Sequence, residues 1–343
     1  MKSAATLLSE CRRRIPASIE ALQRFWRPQA PPDIPAGVAA GIALLTPLLA
    51  MYWAGHADIG ASMSLAALLV VMPLGTTDRA ERARLLATRT VSLTAAGVVV
   101  WLIGPHTWLL VIAVTAAAAL GAFLPRVGVT AALGVLLIGI TGSGAATVVP
   151  GLDQLLGSLW AALLIFPNWG HRKSTPPAQA MSPRARLSSP KIRHHAARLA
   201  LLTAVVSSTL LSGGLLGGGA HWLVTSLLLT LQPTSEQTRA KGLQRTVGNS
   251  LGGVVTALIL ITNPGTITVA IGVGLAAVFG YGWRPANYLY WSLAAPALLL
   301  LLADYSTPMP WYDGALRAAL NALGALIAYH STRWLWPEPA TPS

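Results

Sequence analysis

Two arginines stand at matching places in otherwise apolar sequence: Arg89 opens Arg89-Thr90-Val91 and Arg245 opens Arg245-Thr246-Val247, each ahead of a long run of Val, Leu, Ala and Gly. A planar guanidinium matches a carboxylate bidentately, and helix N-termini add favourable partial charge for an anion. Two such groups facing each other across an axis would bind a carboxylate. The same placement also suits two arginines that snorkel at a membrane face and do no more than anchor their helices. The acids near apolar runs are Asp58, Asp153, Asp304 and Asp313. A carboxyl whose pKa is raised by burial can carry a proton through a membrane. Asp304 is the first candidate for that role and Asp153 the second, with solvation in a loop as the alternative for each. Asp313 and Arg317, four residues apart, are expected to pair. Tyr288 and Trp291 lie one helical turn apart, available to stack on an aromatic ligand or to pack against lipid and core. Gly248-x-x-x-Gly252 with Gly253, and Gly37-x-x-x-Gly41, are expected to let helices approach closely. The glycine-rich stretch 213–219 lacks a following Lys-Ser/Thr, which excludes a phosphate loop.

The elements that position these residues follow from composition. Of 343 residues 54% are hydrophobic and only 10% charged, with mean hydropathy +0.58, against about 25% charged in a soluble domain. The apolar runs are too long for an ordinary soluble core. They predict an all-α polytopic membrane protein of twelve spans, at 34–54, 59–74, 88–104, 107–124, 127–144 and 151–168, then 195–213, 217–233, 245–262, 265–282, 285–303 and 312–336. The second six repeat the first. Ala39 to Thr46 matches Ala196 to Thr203 at six of eight positions, Arg89 aligns with Arg245, Pro73 with Pro233, Pro105 with Pro264 and Gly121 with Gly280. An even number of spans makes the two copies parallel, with a pseudo-twofold axis along the membrane normal. The organisation expected is a basic leader at 1–33, a first repeat at 34–168, a linker at 169–194, a second repeat at 195–336 and a tail at 337–343.

The net charge of +13 is distributed between spans and, on this layout, falls on one side for every lysine and arginine except Arg317. That is the positive-inside pattern, which puts both termini in the cytoplasm, and it speaks against a nucleic-acid-binding domain. Trp53, Trp101, Trp108, Trp222 and Trp311 fall near outer span ends and Trp169, Trp283, Trp334 and Trp336 near inner ones, as an aromatic belt would, while Trp160 and Trp291 fall mid-span. The single cysteine, Cys11, excludes an internal disulfide. The leader reads either as an amphipathic helix on an anionic membrane face or as an unstructured basic tail.

The stretch from 221 to 253 contains His221-Trp222, Leu231-Gln232-Pro233-Thr234, Arg239 and Gln244-Arg245-Thr246-Val247-Gly248-Asn249-Ser250-Leu251-Gly252-Gly253. It resembles the fusaric acid resistance protein family, the aromatic acid exporters of bacterial inner membranes, with Asn249 where that family usually has Thr. Those exporters carry large cytoplasmic domains, in place of which this chain has a short linker. A more distant resemblance is to plant aluminium-activated malate transporters, whose paired six-helix subunits form an anion pore. The resemblance implies an inner-membrane exporter of small aromatic organic acids, proton-coupled, with no cofactor and no enzymatic activity. Arg245, Arg89, Gln232, Asn249, Trp222, Tyr288 and Trp291 would bind or pass the substrate. A passive anion channel and a membrane scaffold for a partner protein are the alternatives. The partners expected are the lipid bilayer and a small organic anion, and a homo-oligomer or a periplasmic adaptor is compatible with the family.

Overall fold

The computed structural model describes residues 23, 25–76, 78–141, 149–167, 183–212, 219, 221–305 and 310–336, leaving out the side chains of 183, 184, 211, 212 and 304. The leader up to 22, residue 168 at the end of the first repeat, residues 169–182 of the linker and the tail from 337 lie outside the described residues, so the readings made for them stay expectations.

The described residues are helical and form no strand. In chain order the helices are α1 (Ile34–Trp53), α2 (Ala57–Val70), α3 (Arg79–Ile103), α4 (Thr107–Phe123), α5 (Thr130–Thr141), α6 (Leu152–Ile165), α7 (Pro183–Ser188), α8 (Pro190–Ser212), α9 (His221–Thr230), α10 (Ser235–Ile261), α11 (Thr266–Trp283), α12 (Tyr288–Asp304) and α13 (Asp313–Trp334). Helices α1, α3 and α11 are long and apolar enough to cross a membrane, and α2, α4, α5, α6, α9 and α12 are shorter apolar helices. The 20 residues of α1 make a rod of about 30 Å, which matches the hydrocarbon thickness of a bilayer. Outward faces carry Val91, Leu120, Leu163, Val254, Leu258 and Leu275, all exposed, where a helix in water would turn polar residues outward. The chain is a helical membrane protein.

Two helices start earlier than their apolar runs. The Asp78 carboxylate caps α3 by accepting from the N–H groups of Ala80 and Glu81, and the Thr234 hydroxyl caps α10 by accepting from that of Gln237. Glu81 and Glu236 then favour the positive end of each dipole. Hydropathy alone misses these charged first turns, so the starts expected at 88 and 245 are corrected to Arg79 and Ser235. Arg89 and Arg245 therefore lie roughly 15 Å inside their helices, and neither sits at a helix N-terminus.

Packing crosses between the halves of the chain. α1 lies along α11 and α4 lies along α8, so the first helix of each half is held by the fourth helix of the other. Within the halves α3 packs on α5 and α6, and α10 on α12 and α13, while α2 meets α6 and α9 meets α13. Glycines make the closest crossings. A Cβ on Gly37 would collide with the Val278 carbonyl and Gly282 of α11, and one on Gly41 with the Val278 side chain. On α10, Gly248 abuts Ser292, Gly252 abuts the Leu293 carbonyl, and Gly253 abuts Gly314 of α13. Two tyrosine hydroxyls also join the halves, Tyr281 donating to the Leu68 carbonyl at 2.5 Å and Tyr305 to that of Leu48 at 2.6 Å.

Candidate functional site

Arg245 points from the middle of α10 into the space between α10, α12 and α13, where it is 1% exposed. One Nη donates to the Tyr288 hydroxyl at 3.3 Å and the other to Asn321 Oδ1 at 2.9 Å, while Nε makes no hydrogen bond. Tyr288 opens α12 and is half-buried. Its ring has Lys241 Nζ 5.4 Å from the centroid and the Arg284 guanidinium 5.7 Å away. Three cations thus surround one phenol. Arg284 also stacks over Trp291 at 4.8 Å and contacts the Met72 sulfur. Among the described residues no carboxylate pairs with Lys241, Arg245 or Arg284. Lys241, Gln244, Arg284 and Tyr288 are partly accessible, so the group runs from an accessible rim to a dry interior at Arg245.

Residues 25–33 lie along this rim. Asn287 donates to the carbonyls of Phe25 and Arg27, the Tyr290 hydroxyl donates to the Trp26 carbonyl, and the Gln29 N–H donates to Ala286. Asn287 Oδ1 accepts from Gln244 at 3.2 Å and caps α12 through the Leu289 N–H.

Deeper in the bundle a second buried cation continues the series. Asn321 Nδ2 donates to the Arg317 carbonyl, and the Arg317 guanidinium lies 3.9 Å from the centroid of the Trp222 ring. Trp222 is 4% exposed, which corrects its assignment to the outer aromatic belt. Arg317 does not pair with Asp313: its Nη2 donates to the Ala295 carbonyl at 3.2 Å and it is buried. Helical spacing places the two residues on one face, but packing of α13 against α9 and α10 turns the arginine inward. Neither Arg317 nor Lys241 was singled out as a site residue by motif or repeat, although Arg317 was visible as the one cation on the far side of the charge distribution.

Most of the other expected site residues take structural partners. Arg89 is turned to the end of α2, donating to the carbonyls of Val70 at 2.9 Å, Met72 and Pro73. Helix ends leave carbonyls unpaired, and a cation suits the negative end of the dipole. Gln232 donates to the Leu231 carbonyl, and the turn it belongs to is closed by the Thr238 hydroxyl. Asn249, fully buried, donates to the Arg245 carbonyl and leaves Oδ1 without a hydrogen bond. Trp291 packs on Tyr281 and against Gly280. Asp153 is 1% exposed in the first turn of α6, with both oxygens lacking a hydrogen bond. The Asp304 side chain lies outside the described residues. Away from the bundle interior, Glu81 holds Arg126 in a bidentate pair at 2.9 and 3.1 Å, and that hydrogen bond raises the Arg126 pKa.

The match to a known family bears on the half of the chain that holds this site. Residues 199–330 match the family described as fusaric acid resistance protein-like, and the stretch includes Trp222, Arg245, Tyr288, Arg317 and Asn321. This part of the chain is similar to that family. The uncharacterized protein YhfK of Escherichia coli K12 is 26% identical over 178 residues, 49% of this chain and 23% of YhfK. An uncharacterized protein of Haemophilus influenzae is 29% identical over 125 residues, 34% of this chain and 16% of the relative. The uncharacterized protein ORF2 of Neisseria gonorrhoeae is 27% identical over 165 residues, 47% of this chain and 38% of ORF2. The chain thus covers well under half the length of each of these relatives. No solved structure matches it.

Proposed function

We propose that this chain is an inner-membrane exporter of small organic acids, mainly aromatic ones, driven by the proton gradient, and that Arg245 is its principal carboxylate-binding group. One observation carries the reading: a fully buried guanidinium with an unpaired N–H, beside Lys241 and Arg284, with no carboxylate paired to any of them among the described residues. Desolvating a cation costs several kcal/mol, and an ionisable group inside a membrane protein marks a functional path unless another charge neutralises it. An organic carboxylate supplies that charge and leaves again. Tyr288 at the rim and the buried Trp291 beneath Arg284 give the site its aromatic character. The match to the fusaric acid resistance family supports transport over enzymatic activity.

On this reading the two halves are parallel six-helix repeats about an axis along the membrane normal. The reciprocal packing of α1 on α11 and α4 on α8 supports that arrangement, as do the helix caps Asp78 and Thr234 at equivalent registers. Both termini are cytoplasmic, and Asp304 and Asp153 are the proton-carrying residues. Uptake of a panel of aromatic and aliphatic acids into everted membrane vesicles tests the function. The expected result is accumulation of aromatic acids that collapses when an uncoupler is added. Flux that survives the uncoupler points instead to a passive anion channel, and no movement of any acid overturns transport.

A further inference from the structure

Arg317 is as deeply buried as Arg245, and the protein uses less of it. Its guanidinium stacks on the Trp222 indole and its Nη2 donates once, while Nε and Nη1 make no hydrogen bond. Those two nitrogens carry three of the five N–H donors of a guanidinium. His221, 9% exposed, lies against Trp222 with ring centroids 4.2 Å apart and an Nδ1 that is also unpartnered. Asn321 links Arg317 to Arg245, a second buried cation. Among the described residues no carboxylate pairs with Arg317. The surroundings of Arg317 therefore offer spare donors and positive charge but no counter-charge, on the side of Asn321 away from the Lys241 rim.

Asn321 is fixed between the two arginines. It accepts from Arg245 through Oδ1 at 2.9 Å, donates through Nδ2 to the Arg317 carbonyl at 2.8 Å, and its own carbonyl accepts from Ser226. Arg317 precedes Asn321 by four residues on α13, an axial step of about 6 Å.

We infer that Arg317, Trp222 and His221 form a second carboxylate-binding station, deeper than the one at Arg245, and that an organic anion passes from one station to the other. Arg317 supplies the charge and the in-plane donors, Trp222 holds the guanidinium plane from one face, and His221 donates from Nδ1 in the corresponding tautomer. The inference rests on the transport reading and adds to it a second binding step.

Calorimetric titration of the purified full-length chain in lipid nanodiscs with sodium benzoate tests it. Wild type is expected to bind two equivalents and Arg317→Gln one, while Arg317→Lys keeps both, with one weakened roughly tenfold because a point charge replaces a planar fork. If Arg317→Gln gives no folded protein, Trp222→Phe decides: one equivalent weakened roughly tenfold supports the station, and two unchanged equivalents overturn it. The inference is also overturned if wild type binds a single equivalent that Arg245→Gln removes and Arg317→Gln leaves intact. That outcome leaves the transport reading standing. Absence of benzoate binding in every protein removes both.

Discussion

Arg89 and Arg245 occupy the same register of two long capped helices, yet only Arg89 gives both its Nη groups to backbone carbonyls, the Nε of each being without a hydrogen bond. In the first half α2 ends on unpaired carbonyls, and Arg89 takes them up. In the second half the turn after α9 is closed by the Thr238 hydroxyl, with Arg198 reaching the Pro233 carbonyl. The residue at the Thr238 register in the first half is Arg82, which reaches across to the Ile165 carbonyl. One small hydroxyl in place of a long cation thus releases Arg245 from helix capping and leaves it to Tyr288 and Asn321. A shared motif position need not mean a shared role: what matters is which other residue satisfies the neighbouring backbone.

The comparison can be broken or sharpened by substitution. The largest effect on stability is expected at Arg89. Arg89→Gln strands several buried carbonyls, so the folded state should lose about 3 kcal/mol, seen as a lower melting temperature in detergent, while flux per folded molecule is retained. Gly252→Ala should come next. Its counterpart in α3 is Ala96, which already carries a Cβ, whereas α10 presses Gly252 onto the Leu293 carbonyl. Overpacking there is expected to cost about 2 kcal/mol, and the same thermal assay reads it. Tyr288→Phe removes one hydrogen bond from Arg245, worth about 1 kcal/mol. The apparent Kd for benzoate should rise roughly fivefold with little change in melting temperature. The smallest effect is expected at Arg126→Gln. This exposed pair with Glu81 lies outside the bundle interior, and neither flux nor melting temperature should move measurably.

Much of the helix layout was legible in the sequence, because long apolar runs mark the segments that form packed helices. Helix starts were not, since Asp78 and Thr234 begin α3 and α10 inside charged sequence that hydropathy discounts. The register of Arg245 with Arg89 was legible too, but their divergence was not. It depends on Thr238 and Arg82, residues that no motif marks. Trp222 read as a belt residue because its position near a span end is compatible with lipid and with a buried cation alike. Arg317 stood out only as a charge on the wrong side, and helical spacing offered Asp313 as a ready partner. The carbonyl of Ala295 and the ring of Trp222 are tertiary neighbours that spacing along one helix does not reveal.

The central claim is that the second half keeps a buried guanidinium for a passing carboxylate and the first half does not. Flux of labelled benzoate in proteoliposomes, compared for Arg245→Gln and Arg89→Gln at equal amounts of folded protein, tests it most directly. The account predicts that Arg245→Gln loses at least tenfold in flux while Arg89→Gln transports at close to the wild-type rate. Wild-type flux in folded Arg245→Gln, or equal losses in the two variants, would contradict it.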